Sequence, residues 1–269
     1  MPETPVAVSV LIGAYDNEAT VARAIDSITS QTERSLELIV IDDGSRDRTA
    51  AVALEAIGDD PRCELLRFDR NVGIARSLNA GLERAAAPIV AIQDADDYSE
   101  PQRLERQLAA LDANHDVAVV GIRTREVDAA GRPVGLRTGL ATGDVGRALM
   151  RFNPIPNGAA AFRREVALAA GGYDPRYRYA ADFDLWLRIS ERHRVVVLDE
   201  VLITRVMGTT NVAARSERAQ IGEAIAIRLR AMRRRRSPRG WGALVRPLIS
   251  YATPIRLKRA LRRRRGQAP

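Results

Sequence analysis

Four short runs of aliphatic and β-branched residues, "VAVSVLI" (6–12), "LELIVID" (36–42), "CELLRF" (63–68) and "PIVAIQD" (88–94), alternate with segments whose apolar residues recur at helical spacing. No other feature limits the fold as strongly. A strand that is apolar nearly throughout must be covered on both faces, and the amphipathic segments between the runs supply that cover. Val21, Ile25 and Ile28 share one helical face after an Asn17 cap, and Ile74, Leu78 and Leu82 share one after an Asn71 cap. The pattern predicts an α/β fold, a doubly wound and mostly parallel sheet with helices on both faces. Such sheets bind ligands outside the carboxyl ends of their strands. Here those ends read "GAYDNE", "DDGS" and "QDADD", so the unusual polar residues gather at one edge.

Beyond Pro101 the spacing predicts a helix with Leu104, Leu108 and Leu111 on one face, then a fifth strand over 117–123. Residues 124–160 read as irregular, with a turn at "DAAGRPVG". A helix is expected over 182–194 with Phe183, Trp186 and Ile189 on its apolar side, a short strand over 195–199, and a mostly helical stretch to about Met232. One cysteine, Cys63, permits no internal disulfide and reads as a small core residue. There is no run of about 18 apolar residues to span a membrane, and no basic segment precedes the first apolar run as a secretory signal requires.

The net charge of +8 is unevenly placed. From Arg228 onward the chain has 15 basic residues and no acidic one, which leaves 27 basic against all 34 acidic residues on the first 227. The expected organisation is therefore a mildly acidic globular domain over 1–227 and a basic amphipathic tail over 228–269. In the tail, arginines interleave with Trp241, Leu244, Val245, Leu248, Ile249, Tyr251, Ile255, Leu257 and Leu261, and prolines at 238, 247 and 254 divide it. Apolar anchors between basic clusters suit an anionic membrane surface, at about 1 kcal/mol per basic residue. Nucleic acid is the weaker reading, because no recognisable binding fold accompanies the arginines.

The apolar run at 88–94 ends in three carboxylates, Asp94, Asp96 and Asp97. Acids this close repel one another, and a solvated turn would be the bland explanation. Neither G-x-G-x-x-G nor G-x-x-x-x-G-K-[ST] occurs at the strand ends. Tyr98 and Ser99 stand where a calcium loop needs an oxygen ligand and a glycine. A D-x-D phosphatase is disfavoured by Tyr98 and by the motif's place on the fourth strand. What remains is a divalent cation, Mn²⁺ or Mg²⁺, held by the carboxylates and bridging to a diphosphate.

"SVLIGAYDNEATVARAIDSITSQTERSLELIVIDDGSRDRT", "NVGIARSLNAGLERAAAPIVAIQDADDYSEPQRLERQ", "GGYDPRYRYAADFDLWLRI" and "LITRV", in that order, resemble the family 2 glycosyltransferases of GT-A fold over roughly 6–207. The resemblance implies an inverting transferase that moves a sugar from a UDP- or dTDP-linked donor to a cell-surface or lipid-linked glycan. Together with the basic tail, it gives the expectation of a cytoplasmic enzyme, peripheral at the inner face of the cell membrane. By position, Ala14, Tyr15 and Glu18 match the loop on the donor base and ribose. Asp42 and Asp43 match the acidic pair after the second strand, with Asp43 nearer the base. Asn71, Gly73, Arg76 and Asn79 match the segment against the nucleotide. Asp94 and Asp96 match the D-x-D pair, Asp96 holding the metal. Asp182 matches the catalytic base, with Gly171, Gly172 and Tyr173 ahead of it, and Asn157 and Gly158 are assigned to the acceptor side. A core aromatic is the lesser alternative for Tyr15, Arg76 reads equally as a solvated charge, and without the resemblance Asp182 reads first as a helix cap; Trp186 reads as core. Where the family often has a metal-binding His after "LITRV", this chain has Met207, a poor ligand for a hard cation, which implies either weaker metal affinity or phosphate neutralised by Arg205 instead. A non-catalytic nucleotide-sugar-binding relative is the alternative that Met207 raises.

Overall fold

A computed structural model describes residues 6–136, 142–207, 212–235 and 242–253. The described elements, in chain order, are β1 (Val8–Ala14), α1 (Val21–Thr29), β2 (Leu36–Asp42), α2 (Thr49–Ile57), β3 (Cys63–Arg67), α3 (Ile74–Arg84), β4 (Ile89–Asp94), β5 (Tyr98–Ser99) and α4 (Arg103–Asp112). There follow β6 (Val117–Val127), β7 (Pro133–Leu136), β8 (Gly143–Asp144), β9 (Ala160–Arg163), α5 (Arg164–Ala169), α6 (Ala181–Ile189), β10 (Arg194–Val206), α7 (Val212–Arg235) and α8 (Gly242–Ala252). The chain divides into two compact units, Met1–Thr209 and Thr210–Pro269; α7 runs across position 227.

The first unit holds one sheet in the order β3-β2-β1-β4-β9-β6-β10-β5, with β7 paired to β6 and β8 to β10. The pairings β3–β2, β2–β1, β1–β4 and β6–β10 are parallel, whereas β9 lies antiparallel between β4 and β6. The strand cores are apolar because helices cover both sides: Val10, Leu11, Ile12, Leu38, Ile39, Val40 and Ile41 have no exposed surface. Val21, Ile25 and Ile28 pack under α1 as expected. The register sets Ala14 opposite Asp42 and Gly13 opposite Asp94, so three parallel strands end together at one rim.

Several expectations are corrected. The helix caps are Thr20 and Gly73, neither making a side-chain cap bond, rather than Asn17 and Asn71. The Asn17 side chain accepts the Tyr15 N–H instead, at 2.9 Å. At α3 the Asp43 carboxylate takes the Val72 and Gly73 N–H groups, at 2.8 and 2.9 Å, and leaves Asn71 no role there. Ile74 is 41% exposed, unlike Leu78 and Leu82 on the same helix. The helix at 182 ends at Ile189, where the Arg192 and His193 N–H groups turn back onto the Ile189 carbonyl at 3.1 Å. The short strand expected at 195–199 continues to Val206 as β10, past register shifts at Val197/Val201 and Val201/Ile203. The stretch 124–160 includes the end of β6 and all of β7, joined by the expected turn at Asp128–Arg132. At its end, from Ala160, begins β9, a strand that was not expected. Its four residues, "AAFR", are too few and too uniformly buried to carry an alternating pattern.

Trp186 is core: it is fully buried, with its ring 5.3 Å from Phe162 and 6.5 Å from Tyr173. Cys63 is half-buried, and burial pushes its thiol up to about 11, which keeps it protonated. In the second unit, Tyr251 of α8 lies against Gly222 of α7 and Leu244 is buried. Trp241, Ile255, Leu257, Leu261 and the prolines 238 and 254 lie outside the described residues.

One buried cation ties the sheet to α4. Arg103 has no exposed surface. It donates to Gln107 Oε1 (3.0 Å), Gln93 Oε1 (2.9 Å), Ser99 Oγ (3.0 Å) and the carbonyls of Ile92 (2.7 Å) and Ala160 (3.5 Å). Every one of these acceptors is neutral. Burial lowers the Arg103 pKa to about 9, against the through-space pull of Asp94 and Asp97. Arg103→Met removes the donors and strands their acceptors in the core, so it should cost about 3 kcal/mol or more of unfolding free energy. The midpoint and slope of a urea titration check this.

Candidate active site

The rim is assembled from loops that the sequence locks to one another. The Asp16 N–H donates to Ser45 Oγ (3.0 Å), and the Asn17 N–H to Thr49 Oγ1 (2.7 Å). The Asp16 carboxylate in turn accepts the Arg46 N–H at 2.9 Å. These bonds hold Asp16 at φ +53°, the one non-glycine with positive φ among the described residues, and they stitch the β1–α1 loop to the β2–α2 loop. Tyr15 is thereby left 37% exposed, with the Arg46 guanidinium 5.6 Å from its ring centroid. It is not a core aromatic.

Two cavities open at this rim. The larger, about 550 Å³, is lined by Ala14, Tyr15, Asp43, Gly73, Arg76 and Arg178, among others. The smaller, about 190 Å³, is lined by Asp94, Asn157, Tyr173 and Asp182. Ile74, Ala75, Arg178 and Tyr179 line both. Six of the residues singled out from the sequence therefore divide cleanly: Ala14, Tyr15, Asp43 and Arg76 on the first cavity, Asp94 and Asp182 on the second. Asn157 joins the second, and Gly158 stands behind Asp94. Asp42, Glu18 and Asp96 line neither. Asp42 is fully buried, accepting the Ser45 N–H at 3.0 Å with the Arg67 Nε 3.1 Å from its other oxygen. Glu18 turns toward the start of α2 and accepts the Arg48 N–H at 2.8 Å.

Asp94, Asp96 and Asp97 each bring a carboxylate oxygen within 4.8 Å of the others. Burial and the neighbouring Asp96 raise the Asp94 pKa. Burial, Asp94 and Asp96 push Asp97 up to about 7. Asp97 faces away from the cavities: it accepts the Val206 N–H at 3.0 Å, with the Arg205 Nε at 3.3 Å. Arg205 also reaches Glu126 at 3.5 Å and lines neither cavity. Met207 follows directly, 39% exposed, its N–H given to the Val127 carbonyl at 2.7 Å. The cluster is hard oxygen, mutually repelling and partly buried, a donor set suited to Mg²⁺ or Mn²⁺.

Asp182 sits in the first turn of α6. Its Oδ2 accepts Asn153 Nδ2 at 2.8 Å. Burial pushes its pKa up to about 6, opposed by the Phe183 N–H and by Asn153. A carboxylate poised there is a competent proton acceptor near neutral pH. Beside it, the Tyr173 hydroxyl donates to Asn157 Oδ1 at 2.9 Å. Asn79 does not face the nucleotide cleft; it clamps the Tyr173 backbone, accepting its N–H and donating to its carbonyl, both at 2.8 Å. That clamp needs Gly172, whose φ is +63° and where a Cβ would meet Asn79 Oδ1 at 2.6 Å. Asn153, Arg178 and Tyr179 were not singled out from the sequence. Asn153 had only the signal of an amide ahead of a proline, and Arg178 and Tyr179 had only their nearness to Asp182.

The family described as Glycosyl transferase family 2 matches residues 9–168. An amylovoran biosynthesis glycosyltransferase, AmsE of Erwinia amylovora, is 29% identical over 198 residues, covering 72% of this chain and 74% of that protein. Residues 1–349 of S. aureus TarS, solved with UDP-GlcNAc, superpose with a TM-score of 0.66 at 19% identity, over 82% of this chain and 66% of that one. The mannosyltransferase PcManGT of Pyrobaculum calidifontis, solved with GDP-Man and Mn²⁺, gives 0.63 at 20% identity, over 97% and 80%. At these identities the two structures share the fold.

Gly158 makes the position of Asp94 testable. A Cβ there would lie 2.6 Å from Asp94 Cγ and 3.0 Å from its backbone nitrogen. Gly158→Ala should cost about 1–3 kcal/mol in overpacking. The wild type should rise in melting temperature when Mn²⁺ is added, and the variant should rise less. Melting curves with Mn²⁺ and with EDTA read both effects.

Proposed function

The chain belongs to glycosyltransferase family 2, and from that premise we propose that it is an inverting enzyme that moves a sugar from a UDP- or dTDP-linked donor to a hydroxyl of a lipid-linked or cell-surface glycan. One observation carries the reading: a cleft lined by an exposed aromatic and an acid, Tyr15 and Asp43, shares Ile74, Ala75, Arg178 and Tyr179 with a second cavity lined by Asp94 and Asp182. A nucleotide sugar laid along it has its nucleoside beside Tyr15, Asp43 and Arg76, and its anomeric carbon near Asp182. The UDP-GlcNAc of TarS supports a uridine donor; the GDP-Man and Mn²⁺ of PcManGT support a nucleotide sugar and a divalent cation.

Asp182 accepts the proton of the acceptor hydroxyl. The oxygen forms its bond to the anomeric carbon, the bond from that carbon to the phosphate oxygen breaks, and the electron pair stays on the nucleoside diphosphate. Attack from the face opposite the diphosphate inverts the centre. Asn153 orients Asp182 through Oδ2, and Tyr173 orients Asn157 on the acceptor side. Asp94 and Asp96 would hold the cation, which supplies Lewis-acid stabilisation of the leaving phosphate when bound.

Release of nucleoside diphosphate from a panel of nucleotide sugars with acceptor and Mn²⁺ tests the whole reading. A non-catalytic relative would release none, and a D-x-D phosphatase would release inorganic phosphate. Within the reading, Asp182→Asn should cut turnover at least about a hundredfold and leave donor binding within a few-fold. The wild-type rate should fall as pH drops through about 6, because the base must be unprotonated and its pKa is raised to that value. Asn153→Ala should move that limb to higher pH, since Asn153 lowers the pKa.

The second unit supports a peripheral site of action on an anionic membrane surface, the inner face of the cell membrane in this reading. Val245, Leu248, Ile249 and Tyr251 on α8 are 55%, 49%, 62% and 48% exposed, within a chain region that has 15 basic residues from Arg228 onward. Among the described residues no helix is long and apolar enough to cross a membrane. Replacing Val245, Leu248 and Ile249 by Ser in the full-length protein should weaken binding to vesicles containing anionic lipid about tenfold or more. Wild-type binding should itself decline as salt rises, because the basic charges are screened beyond about 10 Å at 0.1 M. Vesicle cosedimentation measures both.

A further inference from the structure

We propose that Arg178 is the diphosphate-binding cation of this site, the side chain that meets the leaving group's charge. The inference rests on the functional reading above and names a part that the family resemblance did not assign. A nucleoside diphosphate sugar laid between the two cavities must put its diphosphate where they meet. Arg76 and Arg178 are the basic residues lining the larger cavity, and Arg178 is the basic residue lining the smaller. Of the four side chains common to both, Ile74, Ala75 and Tyr179 are uncharged and Arg178 alone is cationic.

The other cations near the acids line neither cavity. Arg103 is fully buried among neutral acceptors. Arg205 is engaged by Asp97 and Glu126. The guanidinium of Arg23 lies 4.6 Å over the Tyr98 ring and donates to the Asp96 carbonyl at 3.3 Å. At Met207, where the family often has a His, a thioether offers no N–H to an anion. Arg178 lines both cavities and is exposed at the rim. The Tyr179 ring, 5.6 Å from its guanidinium carbon, gives the planar fork a face to lie on. Arg178 also stands four residues before Asp182 on the same connection into α6. One segment thus carries both the proton acceptor and the group that answers the charge released on the opposite side of the reacting carbon. The guanidinium acts by donating N–H bonds to the phosphate oxygen that receives the electron pair, and its own protons stay in place.

The test needs no acceptor. Binding of UDP, dTDP and GDP, and of uridine, thymidine and guanosine, is measured by calorimetry on the full-length wild type, Arg178→Ala, Arg178→Lys and Asp96→Ala, each in Mn²⁺ and in EDTA. The preferred diphosphate should bind Arg178→Ala at least about tenfold more weakly, the size of one charge-assisted bond. The loss should appear with Mn²⁺ and with EDTA alike, because the side chain acts on phosphate directly. The matching nucleoside should bind as before, and Arg178→Lys should recover part of the loss. Asp96→Ala should lose affinity in Mn²⁺ only. Undiminished diphosphate binding by Arg178→Ala, or an equal loss for diphosphate and nucleoside, would overturn the assignment of Arg178 alone. A wild type that binds none of the diphosphates would overturn the proposed function, and this inference with it.

Discussion

Four carboxylates, Asp94, Asp96, Asp97 and Asp182, converge at one rim of the sheet, and their mutual repulsion sets the terms for everything around them. Each would be comfortable in water. Here burial raises Asp94, Asp97 and Asp182 above the usual carboxylate range, and the neighbouring acids add to it. The protein answers with two cations on the side away from the cavities. Arg205 stands 3.3 Å from Asp97. Arg103 acts from further off, through Gln93 and Ser99, which receive its N–H groups while its charge faces Asp94 and Asp97 through space. Neither takes the charge of the side facing the cavities, which is where the proposed cation and diphosphate would sit.

The backbone geometry follows from the same demand. Asp94 can sit at the end of β4 only because Gly158 leaves room beside it. The segment that brings Asn157 there is anchored by β9, wedged antiparallel between β4 and β6. On the nucleotide side, Asp43 spends both oxygens on the Val72 and Gly73 N–H groups. That fixes the entry to α3, and with it Ile74, Ala75 and Arg76 on the cleft wall. Asp43 therefore holds the loop and lines the cleft at once. Asp42, one residue earlier, is wholly consumed by structure.

Much of this was legible in the chain. The parallel half of the sheet followed from apolar runs that need cover on both faces, and the rim from where those runs end. The ordered motifs carried the family, and two of the acids they pointed to, Asp94 and Asp182, line one cavity. What escaped was set by tertiary contact. Nothing local distinguishes Asn79, which clamps the Tyr173 backbone, from a helix residue facing a ligand. Nothing distinguishes Glu18, bound to the Arg48 N–H, from an acid facing the cleft. The strand β9 is too short to show a period. Ile74 repeats at core spacing with Leu78 and Leu82, yet α3 begins at the rim and its first turn projects past the sheet into the cavities.

The strength of Asp182 as a base illustrates how closely the site's parts depend on one another. Its pKa of about 6 is the resultant of burial and the Asp94 charge pushing up, and of the Phe183 N–H and Asn153 pulling down. A carboxylate without the burial would titrate near 4 and hold a proton too weakly to drive its removal from a hydroxyl; one without Asn153 and the helix start would stay protonated further toward neutrality. The contribution from Asp94 ties this balance to the state of the acidic cluster. Positive charge drawn to Asp94 weakens its repulsion of a proton-free Asp182 and lowers the pKa of the base. Burial supplies basicity, hydrogen bonds keep it within reach of neutral pH, and the charge on Asp94 raises it further, so that position and proton affinity are fixed by the same contacts.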